Sequence, residues 1–539
     1  MFGNKWMKEK WYAEKLRDVQ YPRELVIGET LRRNAQRFPD RLALVYQDRK
    51  WTYAQLHERS NRLANALIKL GIQKGDVIGV FSYNQDRYVE SGYGITKAGG
   101  AFIPINFRLV DHEVEYILNH NDAAAVFVDF PILETISSIR KKIKAKHIVV
   151  LRPEGPLPDG MIDYDELIDS GSPEDPPVHV WEGDLVALAQ TGGTTGRPKG
   201  VMVTHRSALS IINQVCFVHK YQETDRGLHC LPSYSSAGIA YDWGATIFHG
   251  GTIYLSTLPP FNPAEILEII HNERINHTTV APIMLDFLIL TLESSPGKYD
   301  VSSIRTLISA GAPTLQPTRE GAIKHFGEVL FVEYSATETG VATLLTPDEV
   351  LKHPGSSGRQ AMGQEVRVID PNGNEMPEGE IGEIAVAGSM VTPGYNKNPE
   401  ATKQAIHGRF LGIGDMAYKD KDGYIYIVDR KSDMIISGGM NIYPAEIETV
   451  MIQNEKIMEI AVIGVPDEQW GESVKALIRL NPGQEATEEE IIGWCKGKMA
   501  SYRIPKSVEF VDDFPRTAAG KVQKSVLRKK YWEGTGRKI

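Results

Sequence analysis

Two hydrophobic rhythms alternate along most of this chain. In "TYAQLHERSNRLANALIKLG", Leu56, Leu63, Leu67 and Leu70 fall on one helical face, and Gly71 closes the pattern. "DVIGVFSY" then has the unbroken apolar run of a buried strand, and "RYVESGYGITKAGGAFIPI" reads as a helix entering another strand. "HIVVL", "GTIYLS", "TTVAP" and "RTLISAG" are further strand candidates, with helical patterns such as "PAEILEIIHNE" between them. Strand and helix in turn predict α/β layers around largely parallel sheets.

Near residue 360 the rhythm changes. "EVRVIDPNGNEMPEGEIGEIAVAG" is a series of short alternating strands with Asn-Gly and Glu-Gly turns, and "DKDGYIYIVDR" repeats that signal. Beyond Arg430, "KSDMIISGGMNIYPAEIETVM", strand-like "IAVIGVP" and "SVKALIRL", and helical "EEEIIGWCKGKMA" predict a smaller α+β unit. A boundary is expected near residue 430.

A length of 539 residues agrees with more than one core. Sixty Lys and Arg against 69 Asp and Glu give a net charge of −9, which argues against nucleic acid as the main partner. The small unit is neutral, so the larger part carries that charge. Three cysteines, Cys216, Cys230 and Cys495, fit no zinc spacing and suit a reducing, cytoplasmic setting. The charged start lacks a signal peptide's apolar core, and the most apolar run, "TTVAPIMLDFLILTL", is interrupted by Pro282 and Asp286. A soluble intracellular protein without a membrane segment is expected.

"QTGGTTGRPKG", from Gln190 to Gly200, concentrates amides, hydroxyls and cations beyond the needs of a turn. Glycines let successive N–H groups converge on an anion, threonines add donors, and Arg197 and Lys199 add charge. A Walker A loop is the obvious rival. It would need Lys directly after Gly196, where Arg-Pro intervenes, and a hydroxyl where Gly200 stands. Its flanks should be strand and helix, whereas "LVALAQ" and "GVMVTH" both read as strands.

Further motifs follow in order: "SAGAP" (309–313), "YSATETG" (334–340), "GIGDMAYKDKDGYIYIVDRKSD" with Asp415 and Arg430, "ISGGMNIYPAEIE" (436–448) and "PRTAAGKVQK" (515–524). Each alone has a bland reading. Glu338 after a threonine can be a helix N-cap, Asp415 a turn residue, Arg430 a surface charge, and the basic tail around Lys521 a solvated end. Together, from about residue 30 to 525, they resemble the adenylate-forming superfamily of acyl-CoA synthetases, peptide-synthetase adenylation domains and firefly-type luciferases.

The resemblance implies a large domain over 1–429, made of two α/β subdomains and a small β-barrel-like one. A hinge at 430–432 and a small mobile α+β domain over 433–539 follow. It implies that Thr191, Gly192, Gly193, Thr194, Thr195, Gly196 and Lys199 hold the phosphates of ATP. Gly311, Ala312 and Pro313 would recognise the adenine edge, and Tyr334 would stack on the ring, with Glu333, Ser335 and Ala336 among the nucleotide contacts. Thr337 would touch the α-phosphate, Glu338 hold Mg2+, Asp415 and Arg430 bind the ribose, and Lys521 act as the adenylation lysine. A carboxylate suits a vicinal diol because it accepts twice and donates nothing. Ser432 departs from the aspartate or lysine usual at the hinge.

For the acceptor, the resemblance implies coenzyme A. Gly438 and Gly439 would line a pantetheine tunnel, Trp470 stack on the CoA adenine, and Lys506 meet its phosphates, although Trp470 could equally be a packed surface aromatic. The acid pocket is expected around Tyr234, Ser235, Ser236, Gly238, Ile239, Tyr241, Trp243 and Met284. Small residues replace a histidine common in relatives, and no charged group is placed for an α-amino acid. A hydrophobic monocarboxylic acid (medium-chain, alicyclic or aromatic) is expected, on a monomer or homodimer. Transfer to a carrier-protein thiol and a non-catalytic nucleotide binder are the alternatives. The latter is disfavoured by the presence of Glu338, Asp415, Arg430 and Lys521.

Overall fold

The structure, a computed structural model, describes residues 25–191, 198–235, 238–516 and 522–533. The first predicted helix spans Tyr53–Lys69 and starts where its sequence supplies a cap. Gln55 N donates to Thr52 Oγ1 at 3.3 Å, and Thr52 N donates back to Gln55 Oε1 at 2.9 Å. Leu56, Leu63 and Leu67 are fully buried, each stabilising the fold by about 1.5–3 kcal/mol. Leu70 sits just past the last helical residue, and Gly71 closes the turn at φ +93°.

Among the described residues, four sheets form, of seven, nine, five and five strands. In the seven-stranded sheet, Val77–Phe81 lies between Ala101–Ile105 and Ala125–Asp129, all parallel. Leu185–Thr191 and Lys199–Thr204 form an antiparallel hairpin at its edge. In the nine-stranded sheet, parallel strands Arg226–His229, His277–Val280, Thr306–Ala310 and Leu330–Ala336 run in that order, and Gly340–Leu345 then turns back antiparallel. One apolar core, including Leu63, Tyr93, Val186, Trp243, Ile253 and Phe331, joins the two large sheets.

The third sheet is wholly antiparallel and covers Gln364 to Arg430. The Asn-Gly signal becomes a turn in which Asp370 Oδ1 accepts from the amides of Asn372 and Asn374. The fourth sheet begins at Ile435 and has its own core, with Ile447, Met451, Ala476 and Cys495. Its helix Glu488–Cys495 is capped by Thr487 and stops short of the predicted "KGKMA", where Lys496 is extended and Gly497 takes φ +78°. The fold is therefore α/β, with a large N-terminal domain and a smaller C-terminal one.

The last helix, Lys524–Trp532, reaches back to the junction of the two units. Arg528 donates to the Ser432 carbonyl and to Asp433 Oδ1, both at 2.7 Å. Lys524 Nζ lies 2.8 Å from Glu448 and 4.0 Å from Asp429. No helix among the described residues is long and apolar enough to cross a membrane.

Candidate active site

The strand Leu330–Ala336 organises the site, because successive side chains on a strand point to opposite faces. Leu330 and Val332 enter one core and Phe331 another. Tyr334 continues the even-numbered face and Glu333 the odd-numbered one.

On the even face, the Tyr334 hydroxyl donates to Asp415 Oδ2 at 2.6 Å. Asp415 and Arg430 oppose each other on antiparallel strands, with Arg430 Nε 3.2 Å from Asp415 Oδ1. Burial, and then the Asp415 charge, push the Tyr334 phenol well above its ordinary range, so it remains a donor. Each carboxylate oxygen keeps a further lone pair for a ribose hydroxyl. The Gly311–Pro313 loop begins alongside, since Ala310 pairs with Glu333 and Gly311 turns at φ +90°.

Thr337 and Glu338 occupy the turn between Leu330–Ala336 and Gly340–Leu345. A hairpin turn rules out the helix-cap reading of Glu338. Its Oε1 accepts from the Tyr395 hydroxyl at 3.1 Å, and Lys199 Nζ lies 5.0 Å from the centre of the Tyr395 ring. Burial raises the Glu338 carboxyl, against the pull of its own backbone N–H and of Tyr395. Among the described residues Glu338 has no ion-pair partner. A half-buried carboxylate held by neutral donors fits a hard divalent cation.

Tyr395 escaped the sequence reading. Its segment laces the phosphate-loop hairpin to the Glu338 turn. Asn396 N donates to the Gly200 carbonyl at 2.7 Å, Met202 N to Gly394 at 3.0 Å, and Thr392 N to the Glu338 carbonyl at 2.8 Å. Thr392 Oγ1 adds a bond to the Met202 carbonyl at 2.6 Å. Thr191 pairs with Lys199 across the hairpin.

Several expected residues lie outside the described ones: Gly192, Gly193, Thr194, Thr195, Gly196, Ser236, Lys521 and the Ile239 side chain. The structure places the others as follows. Glu333 and Ser335 send their side chains to the face opposite Tyr334, toward Tyr241, because strand residues alternate. Trp243 is in the core, edge-on to Tyr93 at 5.6 Å and over Gly92, rather than on a pocket wall. Tyr234 packs edge-on against Phe107 at 5.2 Å. Ser235 accepts from Gly238 N at 3.1 Å, and Met284 packs half-buried against the core beneath its helix, Pro282–Ser294.

The same segment hides an array that no spacing announced. His229 Nδ1 is 2.7 Å from Asp242 Oδ2, and its Nε2 is 3.1 Å from Ser233 Oγ. This is the order of a nucleophile, base and orienting acid. Ser233 is 1% exposed, however, and Gly238 lies so close that a Cβ there would stand 2.8 Å from the imidazole. At that burial the array braces the segment that carries Tyr234 and Tyr241.

In the small unit, Gly438 has φ +58° and its N–H donates to the Trp470 carbonyl at 2.9 Å. A Cβ at 438 would stand 2.6 Å from the indole. Trp470 is 43% exposed, and Lys506 Nζ sits 5.4 Å from its ring centre and 3.4 Å from Asp467. Gly439 turns beside them at φ +80°. Glycine, indole and ammonium thus meet on one surface.

The chain matches the AMP-binding enzyme family over residues 31–396 and the AMP-binding enzyme C-terminal domain over 446–521. It is 34% identical over 517 residues to 4-hydroxybutyrate–CoA ligase 2 of Metallosphaera sedula, covering 92% of this chain and 93% of that protein. It is 34% identical over 514 residues to the long-chain-fatty-acid–CoA ligase FadD13 of Mycobacterium tuberculosis, covering 94% and 98%. The ATP-bound structure of MatB from Rhodopseudomonas palustris superposes with a TM-score of 0.85 at 30% identity, covering 94% of this chain and 99% of that one.

Proposed function

The chain belongs to the AMP-binding enzyme family and is an AMP-forming acyl-CoA synthetase, and on that premise we propose how its own residues divide the work and which acid they serve. The observation that carries the reading is the even face of Leu330–Ala336. There a phenol, a carboxylate and a guanidinium converge within 3.2 Å, one hairpin turn from the half-buried Glu338.

In the first half-reaction an acid carboxylate attacks the α-phosphate of ATP, and diphosphate leaves. Asp415 accepts from the ribose hydroxyls while Tyr334 and Arg430 hold its carboxylate in place. Lys199 and the loop Gly192–Gly196 hold the departing phosphates, and Thr337 donates to the α-phosphate. Glu338 is the residue that would hold Mg2+, which when bound draws negative charge from the phosphate oxygens. Lys521 brings an ammonium to the point where two anions meet, which is worth roughly two to three decades in rate.

In the second half-reaction a thiol attacks the mixed anhydride and AMP leaves. The cluster of Gly438, Trp470 and Lys506 supports coenzyme A as the thiol. An exposed indole suits a purine face, and a nearby ammonium suits its phosphates. Rotation of the small domain about residues 430–432 would bring that cluster to the adenylate. The acid is a monocarboxylic acid with an apolar body, medium-chain, alicyclic or aromatic, seated along the segment from Tyr234 to Tyr241.

A panel of such acids scored for AMP release with and without coenzyme A tests the proposal. CoA-dependent AMP release with an apolar acid is expected. AMP release indifferent to coenzyme A would move the acceptor to a carrier-protein thiol, and acetate or an amino acid as the best substrate would overturn the acid class.

A further inference from the structure

Arg319 is a cation in a place that local energetics disfavour. It closes the first turn of the helix Gln316–Phe326, the end at which a helix dipole opposes positive charge. It is 2% exposed, and no carboxylate among the described residues pairs with it. Burial pulls the guanidinium below its ordinary range, against Tyr426. A buried charge without a counter-ion persists only where other polar groups hold it.

Backbone carbonyls hold this one. Nε donates to Thr314 at 2.8 Å, Nη1 to Val350 at 3.1 Å and His353 at 3.2 Å, and Nη2 to Ser356 at 2.9 Å. All three nitrogens are used, and the planar fork lets one side chain reach four carbonyls at once. Apolar packing could seat a helix here at lower cost, but it would not fix those carbonyls in direction.

The carbonyls belong to segments that lead to both halves of the nucleotide site. Thr314 directly follows Gly311–Pro313, and its Oγ1 lies 2.8 Å from Ser309 Oγ, so the two ends of that loop are pinned together. On the other side, Ser356 Oγ donates to the Ile425 carbonyl at 3.0 Å, and Ser357 N to the same carbonyl at 2.8 Å. Ile425 opens the strand Ile425–Arg430, whose last residue faces Asp415. Arg319 therefore links a loop of one sheet to a strand of another.

We infer that Arg319 is a positioning residue of the nucleotide site. It sets the Gly311–Pro313 loop against the strand that carries Arg430, so that the adenine edge and the ribose are read at a fixed separation. This rests on the reading of that loop as the contact for the adenine edge and of Asp415 as the ribose acceptor.

Calorimetric Kd values of AMP and of inosine monophosphate, which has an oxygen in place of the adenine amino group, test the inference on the full-length protein. The wild type should prefer AMP, because a site built to bond an N–H rejects the analogue lacking it. Arg319→Met keeps the length without the donors. It should weaken AMP about ten-fold, the loss of one charge-assisted hydrogen bond, and inosine monophosphate less, so that the preference narrows. KM for ATP should rise in step while KM for the acid is unchanged. Arg319→Lys keeps the charge without the fork and should fall between the two. A ratio of Kd values does not depend on how much of the protein is folded, so the comparison survives a lowered Tm. Where Arg319→Met yields no folded protein, Arg319→Lys decides.

A full AMP preference in the variants, with only Tm lowered, would overturn the inference and leave the reading of the loop intact. An equal rise in KM for ATP and for the acid would also overturn it, as a general distortion. A wild type that binds both nucleotides alike would sink the reading of the loop first, and the inference with it.

Discussion

The two faces of the strand Leu330–Ala336 hold polar groups of similar kind in opposite states. On one, the Tyr334 phenol and the Asp415 carboxylate are joined at 2.6 Å, with Arg430 on the second oxygen. On the other, the Glu333 carboxylate and the His219 imidazole meet at 3.0 Å, both fully buried, with the Tyr241 phenol on the same side. The first face is assembled in advance, which suits the nucleotide site proposed for it. The second is closed off in the core, where its charges face each other rather than solvent. Preorganisation can thus differ between neighbouring residues of one strand.

Perturbing the machinery common to both faces should give the largest effect. Lys521→Ala is expected to slow adenylate formation by about two to three decades, with far less loss in transfer from preformed adenylate; equal loss in both half-reactions would show a folding defect or a wrong lysine. Asp415→Ala strikes the assembled face alone. It removes two charge-assisted contacts, each worth about 1.5–3 kcal/mol, so kcat/KM for ATP should fall at least about ten-fold. The ranking of acids should not move, and if it does, the two faces are not independent.

Tyr395→Phe deletes the hydroxyl on Glu338 while keeping the ring under Lys199. The expected loss is about five- to ten-fold in kcat, with a raised Mg2+ requirement read from a metal titration; KM for the acid should stay the same. The smallest effect concerns pH. Burial, moderated by Lys524, lifts the Asp429 carboxyl to about 6. Between pH 4 and 6 the folded chain therefore holds a proton that the unfolded chain has released, so stability falls as pH rises through that window. Asp429→Asn should flatten that part of the Tm profile.

The assembled face was legible because its residues come as local motifs. "YSATETG" and the Asp415–Arg430 stretch carry their types and spacing in short strings, and the paired strands around residues 185–204 announced a hairpin loop rather than a strand-to-helix phosphate loop. The other face was not legible. Glu333 and His219 are 114 positions apart and meet only through sheet packing, and a motif read as a contiguous unit ignores which face each residue takes. Tyr395 was missed for a related reason. Its partners Lys199 and Glu338 come from two different sheets, and nothing around "PGYNKNPE" suggests chemistry.

The segment Thr392–Asn396 is fastened on one side to the strand that leaves the phosphate loop and on the other to the turn bearing Glu338. A crossbar seated in this way transmits force. The strand and the turn that carries Glu338 are thus bonded to the same short segment, which would couple a displacement of one to the other.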